Sequence, residues 1–159
     1  MSAIDDITTT ELAAYEGKDI ADICNTGYDA ANVNHCAHFV SHVLEITIGL
    51  ICGSMKYDTR GTGTSLRVNE IYNSCSTRGV WADKPISTKR CLVFATRPSN
   101  MDGSEMGEHP RKHIGIYVDG NVWHYSNSGD KVVKDSVEAF LLKFKGAYGS
   151  STALYYGVL

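Results

Sequence analysis

The sequence predicts an α+β domain in which helices come first and an antiparallel sheet follows. In the first half of the chain, apolar residues recur at the spacing of one helical face. From residue 90 onward, short runs of β-branched and aromatic residues alternate with turn residues, which is typical of strands. One more helical segment interrupts these runs near the C-terminus. Helices followed by a meander of strands indicate an antiparallel sheet.

Three helices are predicted ahead of the strands. A threonine caps the first, TTTELAAYEGKD, and Glu11 suits its first turn. The second begins after Asn34, a good N-cap, and is expected to stop at Gly49. Its apolar stripe consists of Cys36, Phe39, Val40, Val43 and Leu44. The third is expected to end at Gly79, and one of its faces carries Val68, Ile71, Tyr72 and Cys75.

The strands are predicted from three runs, RCLVFA, HIGIYV and NVWHYSN. Asp119 and Gly120 join the last two runs, and Asp-Gly is a strong signal for a tight hairpin. The helix DSVEAFLLKF follows, capped by Asp135 or Ser136, and TALYYGVL reads as a closing strand. Two long loops, about 49–64 and 96–112, are of a length that usually borders a functional site.

Bulk properties exclude some classes of function. The chain has 159 residues, with no repeat, linker or low-complexity tract, which predicts one domain over 1–159. Its formal charge is −3 without a basic run, so charge does not favour nucleic acid as a partner. The acidic, polar start does not resemble a secretory signal, and no apolar run is long enough for a membrane span. We therefore expect synthesis in the cytoplasm without a signal peptide.

The five cysteines do not form a CxxC pair, so zinc-ribbon and thioredoxin-like sites are not indicated. Most are expected to be small buried residues. Cys36 differs, because it is predicted to lie in the first turn of a helix. Free N–H groups and the helix dipole stabilise a thiolate there, which predicts a nucleophile with a lowered pKa.

A nucleophilic cysteine also needs an imidazole from another element, held by a third polar group. His113 starts the run HIGIYV, on the strand face opposite Ile114 and Ile116. A two-residue Asp-Gly loop places Gly115 opposite His124, so that His113 and His124 share a face one diagonal step apart. A three-residue loop reverses this parity and places Asn127 beside His113.

These motifs together resemble the NlpC/P60 family and its CHAP relatives, papain-like cysteine peptidases and amidases of bacterial cell-wall peptides. The resemblance covers about residues 28–158 and rests on HCAHFV, CLVFA and HIGIYVDGNVWHYSN. It implies a papain-like fold with Cys36 as the nucleophile at a helix N-terminus, His113 as the base and His124 as the orienting residue, with Asn127 as the alternative. It implies Tyr28 as an oxyanion contact. His35 is a candidate substrate contact from its place beside Cys36, not from the resemblance. No cofactor is implied. The sequence departs from the family's usual Asp-Cys-Ser-Gly, because His38 stands where a small residue is common.

The resemblance further implies a substrate and a route to it. The expected substrate is a peptidoglycan stem peptide, for example at the bond from D-Glu to the diamino acid. Without a signal, the enzyme is expected to be exported or delivered to the cell wall as an interbacterial effector or a phage lytic enzyme. An effector implies an immunity protein as a partner.

Two alternatives remain from the residues themselves. The first is a zinc-binding protein, because His35, His38, His42 and Glu45 form one helical stripe of possible ligands. The spacing is not that of HExxH, and the same stripe is the polar side of an amphipathic helix, so no metal is expected there. The second alternative is an inactive binding module of the same fold.

Overall fold

The computed structural model describes residues 3–159 and has an α+β architecture with a six-stranded antiparallel sheet. The strand order is β1-β8-β2-β5-β6-β7. The helices are α1 (Thr9–Ala13), α2 (Cys36–Leu44), α3 (Val68–Ser74) and α4 (Val137–Tyr148). The strands are β1 (Thr77–Val80), β2 (Arg90–Thr96), β3 (Met101–Asp102), β4 (Glu105–Met106), β5 (Lys112–Val118), β6 (Asn121–Ser126), β7 (Lys131–Ser136) and β8 (Ala153–Val158).

Helices cover both faces of the sheet. On β5, Ile114, Ile116 and Val118 belong to the larger core together with the apolar residues of α2 and α3. Val93, Ala95 and Val122 point the other way and pack with α4 through the two residues Phe140 and Phe144. Because successive strand residues alternate between faces, every side chain of β5 and β6 is assigned to one of these two layers.

Helix α2 begins where the sequence predicts but is shorter. Its N-cap residue is His35, and the Asn34 side chain instead accepts a hydrogen bond from the Cys36 N–H at 2.9 Å. The helix ends at Glu45, which adopts a left-handed conformation, so the predicted stop at Gly49 is wrong. Glu45 ends the helix because its N–H turns back to the Ser41 carbonyl, which closes the last turn.

The end of α3 and two strands also differ from the prediction. Helix α3 ends at Ser74, and Gly79 lies in β1, a strand that the sequence did not indicate. Strand β7 was missed as well, although it pairs along its whole length with β6. The predicted loops contain short 3₁₀ turns, and the second also contains the β3–β4 hairpin.

The predicted hairpin and the last helix are confirmed. Val118 opposes Asn121, which leaves Asp119 and Gly120 as a two-residue loop, both with positive φ. Ser136 caps α4 by accepting a hydrogen bond from the Ala139 N–H at 3.1 Å. Among residues 3–159, no helix has the length and apolar character that a membrane span requires.

Candidate active site

A line of three polar side chains crosses the sheet under α4. His113 of β5, His124 of β6 and Asp135 of β7 lie on the same face and are spaced eleven residues apart along the chain. Their positions follow from the two hairpins: Tyr117 opposes Val122, and Val122 opposes Asp135, so each polar residue is one diagonal step from the next. The predicted pairing of His113 with His124 is therefore observed.

The hydrogen bonds within this line fix the proton positions. Nε2 of His124 lies 2.6 Å from Oδ2 of Asp135, so it donates its proton to the carboxylate. Nδ1 of His124 then accepts from Nε2 of His113, at 2.9 Å. Nδ1 of His113 is left without a proton, and it is buried without a hydrogen-bond partner. The line thus ends in an unprotonated nitrogen, and Asp135 determines the tautomer of the His113 ring.

Aromatic packing keeps both imidazoles neutral. The His113 ring stacks on Phe144 with centroids 4.2 Å apart, and Phe140 lies edge-on to His124. Burial lowers the pKa of both histidines. For His113 the neighbouring His124 and Lys143 add to this effect, whereas for His124 the hydrogen bond and charge of Asp135 oppose it without outweighing burial. Asp135 has its pKa lowered to about 2 by the hydrogen bond from His124 and by Lys143, whose ammonium lies 2.7 Å away. The carboxylate therefore stays charged and the imidazoles uncharged at neutral pH.

Cys36 lies on the other side of the sheet. It belongs to the core between α2 and the face of β5 that carries Ile114. Backbone N–H groups of Ile114 and Ala37 point at its sulfur, yet burial outweighs them and raises the pKa of the thiol to about 11. The expected lowering of this pKa is thus not observed, because the loss of hydration on burial destabilises the thiolate more than the helix start stabilises it.

No hydrogen bond joins the Cys36 thiol to the His113 ring. His113 uses Nε2 on His124, and its Nδ1 has no partner. The two residues line different hollows: Cys36 lies beside Asn34 and Lys112, and His113 lies beside Lys143. The structure therefore brings His113 and His124 together and places Cys36 next to the β5 backbone, one residue along from His113.

The remaining predicted site residues do not take the expected roles. His35 is fully buried, with Nε2 on the Ala30 carbonyl at 2.8 Å, so it is not placed for contact with substrate. Tyr28 packs against the rings of His35 and His38 rather than beside Cys36. The Asn127 side chain accepts a hydrogen bond from the His35 N–H at 3.0 Å. It therefore fixes the start of α2, while His124 occupies the position beside His113.

Comparisons with models of protein families, with curated proteins and with solved structures gave no match. The resemblance to NlpC/P60 enzymes accordingly rests on the motifs alone.

The histidine stripe of α2 divides between two roles. His35 is held by hydrogen bonds with Ala30 and Asn127, and Glu45 is exposed at the helix end. His38 and His42 instead face two cysteines from distant segments, Cys24 and Cys52, with one possible ligand atom from each residue lying within 4.8 Å of all the others. This group of four, and not the predicted stripe, is where the described residues could hold a metal ion.

Sequence reasoning missed Asp135 and the two cysteines. Asp135 was considered only as a helix cap, because KVVKDS was not read as a strand. The two adjacent β-branched residues Val132 and Val133 were the available signal. Cys24 and Cys52 lie in irregular segments far apart in the chain, so no local spacing relates them to α2.

Proposed function

We propose that this chain is a cysteine hydrolase that cleaves amide bonds, with Cys36 as the nucleophile and His113 as the general base. The observation that carries the proposal is the hydrogen-bonded line from Asp135 through His124 to His113. In hydrolase triads the third residue likewise holds the imidazole in the tautomer that leaves one nitrogen free to act as a base. Asp135 extends the predicted set of Cys36, His113 and His124.

The proposed reaction balances without a cofactor. Nδ1 of His113 accepts the thiol proton while the Cys36 sulfur adds to the carbonyl carbon. The C–N bond then breaks, and the imidazolium returns its proton to the leaving amine. Water, deprotonated by the same nitrogen, hydrolyses the thioester and restores the thiol. Backbone N–H groups at the start of α2 are the proposed oxyanion donors. In the free protein the N–H of Cys36 donates to Asn34 and that of Ala37 points at the sulfur, so each has to turn to the substrate.

The proposal includes one rearrangement. The thiol contacts the N–H of Ile114, and the His113 ring packs on the opposite side of the same strand. Proton transfer needs a direct hydrogen bond between them, so the start of β5 has to move when substrate binds beside Cys36. Catalytic hydrogen bonds are often long or misaligned in free enzymes and tighten only in the complex.

The hollow beside Cys36 favours an anionic peptide as substrate. Arg67 and Lys112 contribute two cationic side chains to its wall, against one carboxylate from Glu108. Stem peptides of peptidoglycan carry free carboxylates next to their amide bonds, and Arg and Lys bind such groups well. Together with the motif resemblance, this supports peptidoglycan stem peptides as the substrate class. Delivery to the wall as an effector with an immunity partner, or as a phage enzyme, belongs to the same proposal.

A second candidate is an inactive binding module with the same hollow. The raised pKa of Cys36 and its lack of a bond to His113 favour this candidate. Hydrolysis and binding predict different effects of the same substitutions, so one experiment separates them.

The experiment is digestion of purified sacculi, followed by identification of the released fragments by mass. Wild type is expected to release peptides with a newly formed amine and carboxylate. Cys36→Ala and His113→Ala should release none, because each removes a reacting atom. The matched control is Cys91→Ala, which removes another fully buried thiol and should retain activity. Equal product from Cys36→Ala, or sacculi bound but never cleaved by wild type, would exclude the hydrolase.

A further inference from the structure

The structure contains a group of four metal-ligand side chains that the proposed hydrolysis does not use. Cys24 follows the 3₁₀ turn Ile20–Asp22, and Cys52 begins the 3₁₀ turn Cys52–Met55. His38 and His42 project from successive turns of α2, at the i, i+4 spacing that presents two imidazoles to one ion. The segments of Cys24 and Cys52, whose cysteines are 28 residues apart, therefore converge on one side of the helix that carries Cys36.

Two of the distances within the group are close to those around a tetrahedral ion. The sulfurs of Cys24 and Cys52 are 3.7 Å apart, and Nε2 of His42 is 3.8 Å from the Cys52 sulfur. Zinc–sulfur bonds of about 2.3 Å at tetrahedral angles place two sulfurs about 3.8 Å apart, and a sulfur and a nitrogen slightly closer. The sulfurs are too far apart for a disulfide, and all five cysteines are free.

The hydrogen bonds of His38 leave a nitrogen free for the metal. Nε2 of His35 lies 2.8 Å from the Ala30 carbonyl, so this nitrogen carries the proton and Nδ1 of His35 is an acceptor. Nδ1 of His38 lies 3.1 Å from that acceptor and must donate to it. Nε2 of His38 is then a bare lone pair, fully buried and without a hydrogen-bond partner. Metal-binding histidines commonly donate their other ring N–H in this way.

The sulfurs of Cys24 and Cys52 have hydrogen-bonding groups close by, as metal-bound thiolates do. The N–H of Thr64 points at the Cys52 sulfur from 3.3 Å, and the Thr26 hydroxyl lies 2.9 Å from the Cys24 sulfur. Gly63 permits the first approach, because a Cβ there would lie 2.4 Å from the Cys52 sulfur. Donors of this kind stabilise the negative charge on sulfur and orient the ligand.

We propose that Cys24, His38, His42 and Cys52 bind one zinc ion in a structural site. Two thiolates and two imidazoles in tetrahedral array are a preferred zinc donor set, and four protein ligands leave no position for a reacting water. The ion holds the Cys24 and Cys52 segments against α2. This reverses the expectation that no metal binds near these histidines, and it does not depend on the proposed hydrolysis.

The test is the metal content and cobalt spectrum of the full chain, purified after expression with added zinc. We expect about one zinc per chain, and after exchange, cobalt bands typical of tetrahedral coordination with sulfur-to-metal charge transfer. Cys24→Ser and Cys52→Ser should weaken zinc binding by more than the roughly 10–100-fold that loss of an outer partner costs. His35→Ala removes such a partner of His38, so it should weaken zinc binding by roughly 10–100-fold.

Matched controls keep the test independent of folding and of activity. Cys75→Ser alters a buried cysteine outside the group, and Cys36→Ala removes the nucleophile, so both should keep the zinc. If a ligand variant does not fold, the wild-type chain is used instead: a chelator should lower its melting temperature, and zinc should restore it. A wild-type chain without metal, or a Cys24–Cys52 disulfide in its peptides, would overturn the site. Hydrolysis needs no measurement here, so either proposal can fail alone.

Discussion

At the scale of single residues, His113 shows how hydrogen bonds decide chemistry. One of its nitrogens is engaged by His124 and the other is free, and this difference originates in the charge of Asp135. A lone buried histidine could adopt either tautomer. The line of three residues removes that choice, which is what the base of a hydrolase requires.

We predict that His124→Ala lowers kcat severely, by as much as roughly 10⁴-fold, because the His113 ring loses the only hydrogen-bond partner that it has among residues 3–159. Asn127→Ala should be mild, because that side chain binds the His35 N–H and not the imidazole. The measurement is the rate of stem-peptide release at saturating substrate, with melting curves to confirm that both variants fold. Equal losses for the two variants would assign the role of His124 to packing.

At the scale of elements, the β5–β6 hairpin depends on a glycine. Gly115 lies against β6, and a Cβ at this position would meet Val122 at 2.6 Å and the Cβ of His124 at 3.2 Å. The backbone of β6 can approach β5 only because this side chain is missing. The same closeness brings the His124 ring within hydrogen-bond distance of His113.

Gly115→Ala should destabilise the fold by about 1–3 kcal/mol, because the added methyl group overpacks a buried site. Gly146→Ala is the matched control: Gly146 lies in α4, is exposed, and has no heavy atom within 4 Å of a built Cβ. There the change should stabilise by about 0.5–1 kcal/mol, since alanine favours helices. Denaturant unfolding of both variants measures the difference, and a destabilising Gly146→Ala would contradict this account.

At the scale of the whole molecule, the sheet separates two polar systems. The line of His113, His124 and Asp135 lies under α4, whereas the four proposed zinc ligands lie on the side of α2. Cys36 also lies on the side of α2, against the backbone of β5. Both systems contain buried histidines without charge, and this makes the folded state sensitive to acid.

Stability should fall as pH drops below about 6.5. The pKa values of His113 and His124 are lowered in the folded state, so in this range the unfolded chain binds protons that the folded chain does not. Each such group changes the unfolding free energy by about 1.4 kcal/mol per pH unit. Asp135 acts later: its stabilisation is present above its unfolded pKa of 3.8 and is lost as pH falls towards about 2.

The measurement is the free energy of unfolding between pH 7 and pH 5 for wild type and for His124→Asn. The slope of the unfolding free energy against pH should be smaller in the variant by the contribution of about one proton. Any contribution from the zinc ligands is the same in both proteins. Identical slopes would mean that His124 is charged in the folded state.

Much of the fold was predictable because it is local. The first helix, the start of α2, the runs of β2, β5, β6 and β8, and the cap of α4 follow from periodicity and capping residues. The two-residue Asp119-Gly120 loop was predictable for the same reason, and it determined that His124 and not Asn127 lies beside His113. The helix end at Glu45 and the strands β1 and β7 were not predictable, because a left-handed helix end and edge strands depend on what packs against them.

Tertiary structure alone decided where Cys36 lies relative to His113 and how Cys24 and Cys52 meet α2. The alternation of HIGIYV already placed His113 and Ile114 on opposite faces, but only the packing of α2 on the Ile114 face shows that Cys36 and His113 lie on different sides of β5. Burial likewise decided the pKa of Cys36, which its position at a helix start had predicted to fall. The meeting of Cys24 and Cys52 with α2 has no local signal, because contacts between distant segments are determined by how complete layers pack.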